Sequence, residues 1–293
     1  MKIRKAVIAL AGFGTRFLPV TKTIQKEMIP VINRPVVDYL VDDLVKAGIQ
    51  EIILVVNEHS GQAIHYYQEN HRLEKYLQQL KKAEAYSQIK DIPNKATFHF
   101  VKQRDQDPYG TAVPVKLAKE YLKDEEAFVV LMGDDIPYNA DGSSEVANMI
   151  QYLEQTGADS LATFSEQPTE QLYLYGVADT IEKNSVKYLK KLVEKPAPGT
   201  APSNLANISK YILTPAVFDI IDQQQPNPQS GEFYITDTVT TLAQTNNVVV
   251  YTPKGVYLDC GYPLGWLKAN LVMAQDNPAL KEELQTFLKT LGL

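Results

Sequence analysis

The sequence predicts an α/β fold built on a mainly parallel sheet, and two observations carry that expectation. Short continuous apolar runs, "KAVIAL" (5–10), "EIILVV" (51–56) and "AFVVLM" (127–132), are bounded by turn residues, as strands buried on both faces tend to be. Helix-like stretches alternate with such runs, which calls for right-handed crossovers and helices on both faces of the sheet.

Taken in order, "KAVIAL" opens the sheet and runs into a long loop. Val37, Leu40, Val41, Leu44 and Val45 then recur at helical spacing, with Gly48 placed to end the helix before "EIILVV". The unit returns as "ATFHFV" (96–101), the helix-like "AVPVKLAKEYL" (112–122) and "AFVVLM". "EVANMIQYLEQTG" reads as a helix with a glycine stop, "SLATF" and "YGVAD" as strands, and "VKYLKKLVEKPAPGTAP" as a strand entering a proline-rich loop. "KYILTPAVFDII", "ITDTVTTLAQT" and "VVVYTPKGVYLDCG" continue the alternation, and "GWLKANLVMAQD" with "PALKEELQTFLKTL" closes the chain with helices. No repeat or clear linker interrupts this pattern. The expectation is one domain over 1–293, with the helices from about residue 262 packing on it or mediating oligomerisation.

Composition excludes several classes. With 44% hydrophobic and 22% charged residues the chain is an ordinary globular one, and its net charge of -6 argues against nucleic acid as the main partner, because phosphate backbones are bound chiefly by clustered Lys and Arg. "MKIRK" before "AVIALA" imitates a secretory leader, but Gly12, Gly14 and Arg16 arrive before an apolar core of about 7–15 residues can form. No apolar run approaches the roughly 20 residues of a membrane span. The single Cys260 cannot form an internal disulfide, which suits a reducing cytoplasm.

The loop after the first strand, "ALAGFGTRFLPVTKTIQKEMIPV" (9–31), is longer than an ordinary strand-to-helix connection of about 2–6 residues. Residues 11–34 place Arg16, Lys22, Lys26 and Arg34 against one acid, Glu27. Gly12 and Gly14 would let backbone N–H groups approach a ligand, and amides with cationic side chains make a phosphate cradle. The spacing lacks the G-x-x-x-x-G-K-[ST] pattern, and Phe17 stands where a dinucleotide fingerprint has its third glycine.

"FVVLMGDDIP" sets Asp134 and Asp135 just past a buried strand, where open α/β sheets bind ligands and where a hard carboxylate suits magnesium carrying phosphates. Asp259 in "VYLDCG" repeats the arrangement. Two carboxylates converging on one ion and two unrelated turns are both open on spacing alone. "LVEKPAPG" places Glu194 and Lys195 at a third strand end, where a carboxylate could accept from sugar hydroxyls and an ammonium could meet a phosphate. His59, His65, His71 and His99 show no ligand spacing, and Cys260 reads as a buried filler with no base to activate it.

Ten blocks in order, "AGFGTRFLPVTKTIQKEMIPV", "FVKQ", "YGTAV", "GDD", "YGV", "VEKP", "APSNLA", "YIL", "GEFYITD" and "DCG", resemble the bacterial UTP–glucose-1-phosphate uridylyltransferases of the sugar-phosphate nucleotidyltransferase superfamily. The resemblance implies a Rossmann-like three-layer sandwich with a mainly parallel mixed sheet, of the nucleotide-diphospho-sugar transferase type. It implies Mg2+-dependent transfer of UMP from UTP to glucose 1-phosphate, giving UDP-glucose and pyrophosphate, in a homo-oligomer (dimer or tetramer). It would give Ala11, Gly12, Gly14, Thr15 and Arg16 to the nucleotide and its phosphates, Lys26 to the phosphates, and Gln103 and Gly110 to the uracil edge. Asp134 matches the magnesium ligand, Gly176 and Glu194 the positions that hold glucose, and Lys195 the one that meets its phosphate. Asp259 aligns with a second metal-associated carboxylate of thymidylyl relatives. Arg16, Lys26, Asp134 and Lys195 would then be the catalytic set.

That chemistry accounts for the lack of a His or Ser nucleophile. A sugar phosphate, with a second pKa of roughly 6, is already largely dianionic near neutral pH, so positioning and charge neutralisation suffice. Three departures touch the family pattern: Gln25 where proline is usual before Lys26, Thr111 where histidine is usual, and Ser209-Lys210 where Gly-Arg is usual. Losing proline's fixed φ would leave the loop before Lys26 less preorganised. The alternatives are another nucleotide or sugar 1-phosphate, or a regulatory paralogue that does not catalyse.

Overall fold

In the computed structural model, which describes residues 1–292, the expected apolar runs form three adjacent strands in one half of a nine-stranded mixed sheet. β1 (Lys5–Leu10) is followed, after the glycine loop, by the small antiparallel pair β2 (Pro30–Val31) and β3 (Arg34–Pro35) and by α1 (Val36–Lys46). β4 (Glu51–Asn57) leads through α2 (Gln62–Tyr66), α3 (His71–Gln79) and α4 (Ala83–Ser87) to β5 (Thr97–Gln103). Next come α5 (Val113–Leu117), α6 (Lys119–Leu122), β6 (Phe128–Met132), β7 (Asp135–Tyr138) and α7 (Glu145–Thr156). β8 (Ser160–Glu166), β9 (Gly176–Lys183), β10 (Val186–Glu194) and β11 (Leu205–Leu213) precede α8 (Ala216–Gln223) and α9 (Ile235–Leu242). β12 (Val248–Tyr251), β13 (Val256–Asp259), α10 (Pro263–Asp276) and α11 (Pro278–Thr290) complete the order.

The strand order is β5-β4-β1-β6-β11-β8-β12-β10-β9. β5, β4, β1 and β6 are parallel to one another, as are β8 and β12, whereas β11 and β10 run against their neighbours. Antiparallel ladders therefore occupy much of the second half, a larger share than the apolar runs alone indicate. Alternation along β1 feeds two cores: Ala6, Ile8 and Leu10 meet Val37, Leu40 and Leu44 of α1 and Met149 of α7, while Val7 belongs with Val115 of α5, Phe218 of α8 and Val239 of α9. Truncating such a side chain, for example Leu44→Ala, costs about 2–5 kcal/mol.

Four elements differ from the sequence expectation. The helix over 112–122 is two short ones, because the ladder tightens at Ala118, whose N–H donates to both the Pro114 and the Val115 carbonyl. The crossover 58–96 holds three helices with little apolar signal, α3 burying only Leu77. β11 begins at Leu205, well before "KYIL", and carries a bulge between Asn207 and Tyr211. β13 lies outside the large sheet and pairs with β7, setting Asp259 opposite Asp135. A third core under this ribbon, with Val31, Ile136, Leu258, Cys260 and Met273, fixes it to α10, and Trp266 Nε1 donates to the Pro30 carbonyl at 2.8 Å. Cys260 is thus the buried filler expected. α10 packs through Ala269 and Met273, whereas α11 buries none of its residues.

Candidate active site

A cleft of about 360 Å³ opens where β1, β5 and β6 end. Of the residues expected to act, Ala11, Gly12, Arg16, Lys26, Gln103, Gly110, Asp134 and Asp259 line it. The position is the one at which parallel strands present their carboxyl ends to a ligand. Gly14 and Thr15 sit in the same loop but off the cleft wall. Gly176, Glu194 and Lys195 form an adjoining cluster, joined to the cleft through Tyr175, whose carbonyl accepts the Lys195 N–H at 3.0 Å.

The loop glycines serve a purpose that the sequence reading missed. Gly14 has φ +64°, and a Cβ there would lie 2.9 Å from Lys26 Cβ and 3.0 Å from Thr21 Cγ2. A Cβ on Gly12 would stand 3.5 Å from Lys26 Nζ. Gly14 therefore makes room for the stem of Lys26, which passes on beside Gly12 at ordinary contact distance and brings Nζ to 2.6 Å from Asp134 Oδ2. Arg16 approaches the same oxygen at 3.6 Å from a largely exposed side chain. Burial works against the Lys26 charge, but Asp134 outweighs it and holds the ammonium above its ordinary value. Burial likewise works to raise Asp134, and Lys26 more than reverses it, keeping the carboxyl ionised below the usual range.

Asp135 turns to a different partner. Its Oδ1 takes the Lys210 ammonium, buried at 1% exposure, and its Oδ2 accepts from Tyr257 OH at 2.9 Å. Burial pushes Asp135 up to about 6 even with Lys210 beside it. Asp259, its cross-strand partner, accepts the Gly261 N–H at 2.9 Å and is raised by burial. A Cβ on Gly261 would lie 2.7 Å from Asp134 Oδ2 and 3.1 Å from Asp259 Oδ1, so both carboxylates face the space that this glycine leaves open. Two hard oxygen donors converging beside cationic side chains fit a small divalent ion that keeps phosphate and water as its other ligands. The two aspartates are therefore neighbours across Gly261, with the Arg16 guanidinium at the same place, rather than parts of two distant turns.

On the opposite wall Gln103 Nε2 donates to the Pro108 carbonyl at 3.2 Å. Gly110, at φ +130°, lies so close to Phe233 that a Cβ would be 2.4 Å from its N and O. The contact is a backbone splice: Phe233 N–H donates to Tyr109 O at 2.8 Å, and Ala112 N–H to Phe233 O at 2.9 Å. Thr111 belongs to this splice, its hydroxyl oxygen accepting the N–H of Ile235, the first residue of α9, at 2.9 Å. In the adjoining cluster Gly176 pairs with Glu194, whose Oε2 accepts from Thr236 Oγ1 at 3.2 Å and whose carboxyl is raised by burial.

The other departures also have structural roles. Gln25 has φ -61°, a value proline would also adopt, so the folded backbone here suits either residue. Its N–H donates to Gln62 Oε1 at 2.8 Å, a bond proline could not make. Ser209 sits at φ +54° in the β11 bulge, with its N–H and hydroxyl on Asn207 Oδ1. Asn207 and Tyr257 line the cleft and were not singled out from the sequence; nor was the pairing of Lys210 with Asp135. A lysine inside the apolar stretch "NISKYIL" is the one signal that could have found that pair. His59 is on the surface, as read; with Glu58 and Asp105 it forms a group whose ligand atoms lie within 4.8 Å of one another.

The nucleotidyl transferase family model matches residues 5–276. A Staphylococcus saprophyticus UTP–glucose-1-phosphate uridylyltransferase 2 is 36% identical over 293 residues, covering 100% of this chain and 99% of the relative. A solved UDP-glucose pyrophosphorylase from Acinetobacter baumannii superposes with a TM-score of 0.88 at 32% identity, covering 99% of this chain and 100% of that one. The UTP-bound enzyme of the same organism gives 0.85 at 30% identity, with 98% and 99% covered. The chain belongs to the nucleotidyl transferase family, among its UTP–glucose-1-phosphate uridylyltransferases.

Proposed function

We propose that the protein transfers UMP from UTP to glucose 1-phosphate, giving UDP-glucose and pyrophosphate. The observation that carries this reading is the meeting of Lys26, Asp134 and Asp259 at the strand ends, between a basic loop and a backbone-spliced wall. An oxygen of the sugar phosphate forms a bond to the α-phosphorus of UTP as the bond from that phosphorus to the bridging oxygen breaks, and pyrophosphate leaves. No proton has to be removed from a dianionic phosphate, so no side-chain base is required.

Each residue then has a role. Ala11, Gly12, Gly14 and Thr15 shape the nucleotide side, Gln103 and Gly110 face the base, and Arg16 and Lys26 meet the triphosphate. Gly176 and Glu194 hold the sugar, and Lys195 its phosphate. Asp134 and Asp259 would hold Mg2+, which supplies charge neutralisation at the phosphates when bound. Lys26 caps Asp134 in the free chain and exchanges that carboxylate for phosphate oxygens as substrate arrives, so the site keeps its charge balanced in both states.

The apolar clusters on both faces of the sheet support the Rossmann-like three-layer reading. Residues 1–293 are proposed to act as one catalytic domain. The bare α11, with exposed Phe287 and Leu291, supports a homo-oligomer built through the C-terminal helices. A lone, buried, unpaired cysteine supports a cytoplasmic setting. The test is a matrix of nucleoside triphosphates against sugar 1-phosphates, read as pyrophosphate release with magnesium. UTP with glucose 1-phosphate should be turned over fastest; release from neither, with UTP still bound, would leave a regulatory paralogue.

A further inference from the structure

We propose that Gln62 is a positioning residue for Lys26, acting through Gln25 from outside the cleft. The inference rests on Lys26 being the triphosphate cation proposed above.

Gln62 opens α2 and clamps the loop in both directions: its Oε1 accepts the Gln25 N–H at 2.8 Å, and its Nε2 donates to the Thr23 carbonyl at 3.0 Å. Gln25 answers with its own side chain. Its Nε2 donates to Glu27 Oε1 at 2.8 Å, and its Oε1 accepts the Ala63 N–H at 3.4 Å. The bonds thus hold the residues on either side of Lys26, and the other anchor is a helix rather than a neighbouring loop.

The stretch being held needs an outside support. Lys22, Thr23 and Ile24 are exposed, and Lys26 starts a single 3-10 turn in which the Met28 N–H donates to Gln25 O at 2.9 Å. The position of Gln25 therefore sets where that turn begins. From there the start of the Lys26 stem is packed over Gly14, and its far end is held by Asp134 at 2.6 Å, which fixes the side chain at both ends. A shift of the turn is carried to the ammonium. Glu27, fully buried beside this turn, has one oxygen on Gln25 and the other without a partner, so Gln25 is what satisfies its side chain.

The experiment is a double-mutant cycle on the full-length enzyme, read as the UTP dissociation constant by calorimetry, with kcat, both KM values and Tm alongside. Gln62→Ala should weaken UTP binding about 5–20-fold, leave KM for glucose 1-phosphate within twofold and shift Tm by only a few degrees. Gln62→Glu, which keeps the acceptor for the Gln25 N–H, should recover most of the loss, and Gln25→Pro, which removes that N–H and the Gln25 side-chain bonds to Glu27 and Ala63 as well, should cost at least as much. In the Lys26→Met background Gln62→Ala should cost UTP binding little more. Parental UTP binding in Gln62→Ala, equal damage to both substrates, or full additivity with Lys26→Met overturns the proposal. Lys26→Met with parental turnover would overturn the assignment of Lys26 itself and the positioning role with it, an outcome recognisable without any Gln62 variant.

Discussion

Lys26 Nζ lies 2.6 Å from Asp134 Oδ2, with both side chains 16% exposed, so the cation of the glycine loop and the carboxylate past β6 neutralise each other in the free chain. Each is therefore held ionised by a partner that, on the proposed function, it would give up or share as phosphate and metal enter. Asp134→Asn keeps an oxygen for Lys26 but removes the charge that would hold magnesium. Turnover should fall about 10²–10³-fold, the scale of losing one preorganised electrostatic contact, measured as pyrophosphate release at saturating magnesium. Asp134→Ala should in addition lower Tm, because Lys26 is left partly buried without its counter-charge.

Glu27 makes stability depend on pH. Burial pushes its carboxyl up to about 8 from an ordinary value of 4.5, so between these limits the folded chain holds a proton that the unfolded chain has released. Stability must then fall as pH rises from about 4.5 to about 8 and level off above. Glu27→Gln cannot ionise and keeps an oxygen for the Gln25 amide. Its Tm relative to the parent should rise steadily over that window. A constant difference across it would show that Glu27 is ionised in the folded protein at neutral pH.

Ser209 tests the bulge in β11. An L-residue in the left-handed region costs about 1–2 kcal/mol, against roughly 0.5–1 kcal/mol for glycine's greater freedom when unfolded. Ser209→Gly removes the strain at φ +54° while Asn207 Oδ1 still accepts the backbone N–H of residue 209 and the Tyr211 hydroxyl. It should stabilise the protein by about 0.5–1 kcal/mol, seen in urea or thermal unfolding. Ser209→Ala, which keeps the strain and loses the hydroxyl, should not.

What the sequence made legible follows from how each signal arises. Strands β1, β4 and β6 are buried on both faces, so they read as unbroken apolar runs. The Lys26, Asp134 and Asp259 positions were legible from a basic glycine loop and from carboxylates at strand ends, and the resemblance to a family supplied their expected roles. The β7–β13 ribbon was not, because a four-residue strand pairing across more than a hundred residues leaves no local pattern. Gln25 shows the same limit at one residue. Read alone it is a missing proline, and only the fold, by bringing Gln62 to it, shows that its N–H is in use.

Lys210 and Asp135 lie deepest among the charges at the site, with side chains 1% and 6% exposed. A buried pair gains little over an apolar one, but removing one partner strands the other and costs about 3–5 kcal/mol. Lys210→Met should therefore destabilise strongly, and less at low pH, because Asp135 would take up a proton to escape an uncompensated charge; this follows from burial already raising its carboxyl to about 6. Adding Asp135→Asn should restore much of the lost stability, since an amide can still meet Tyr257 and carries no charge. The double variant then separates folding from chemistry. Asp135 shares its backbone with Asp134 and faces Asp259 across the β7–β13 ribbon, so if the pair also aims those carboxylates, the refolded double variant should need several-fold more magnesium for half-maximal turnover. An unchanged magnesium dependence would restrict Lys210–Asp135 to holding the ribbon in place.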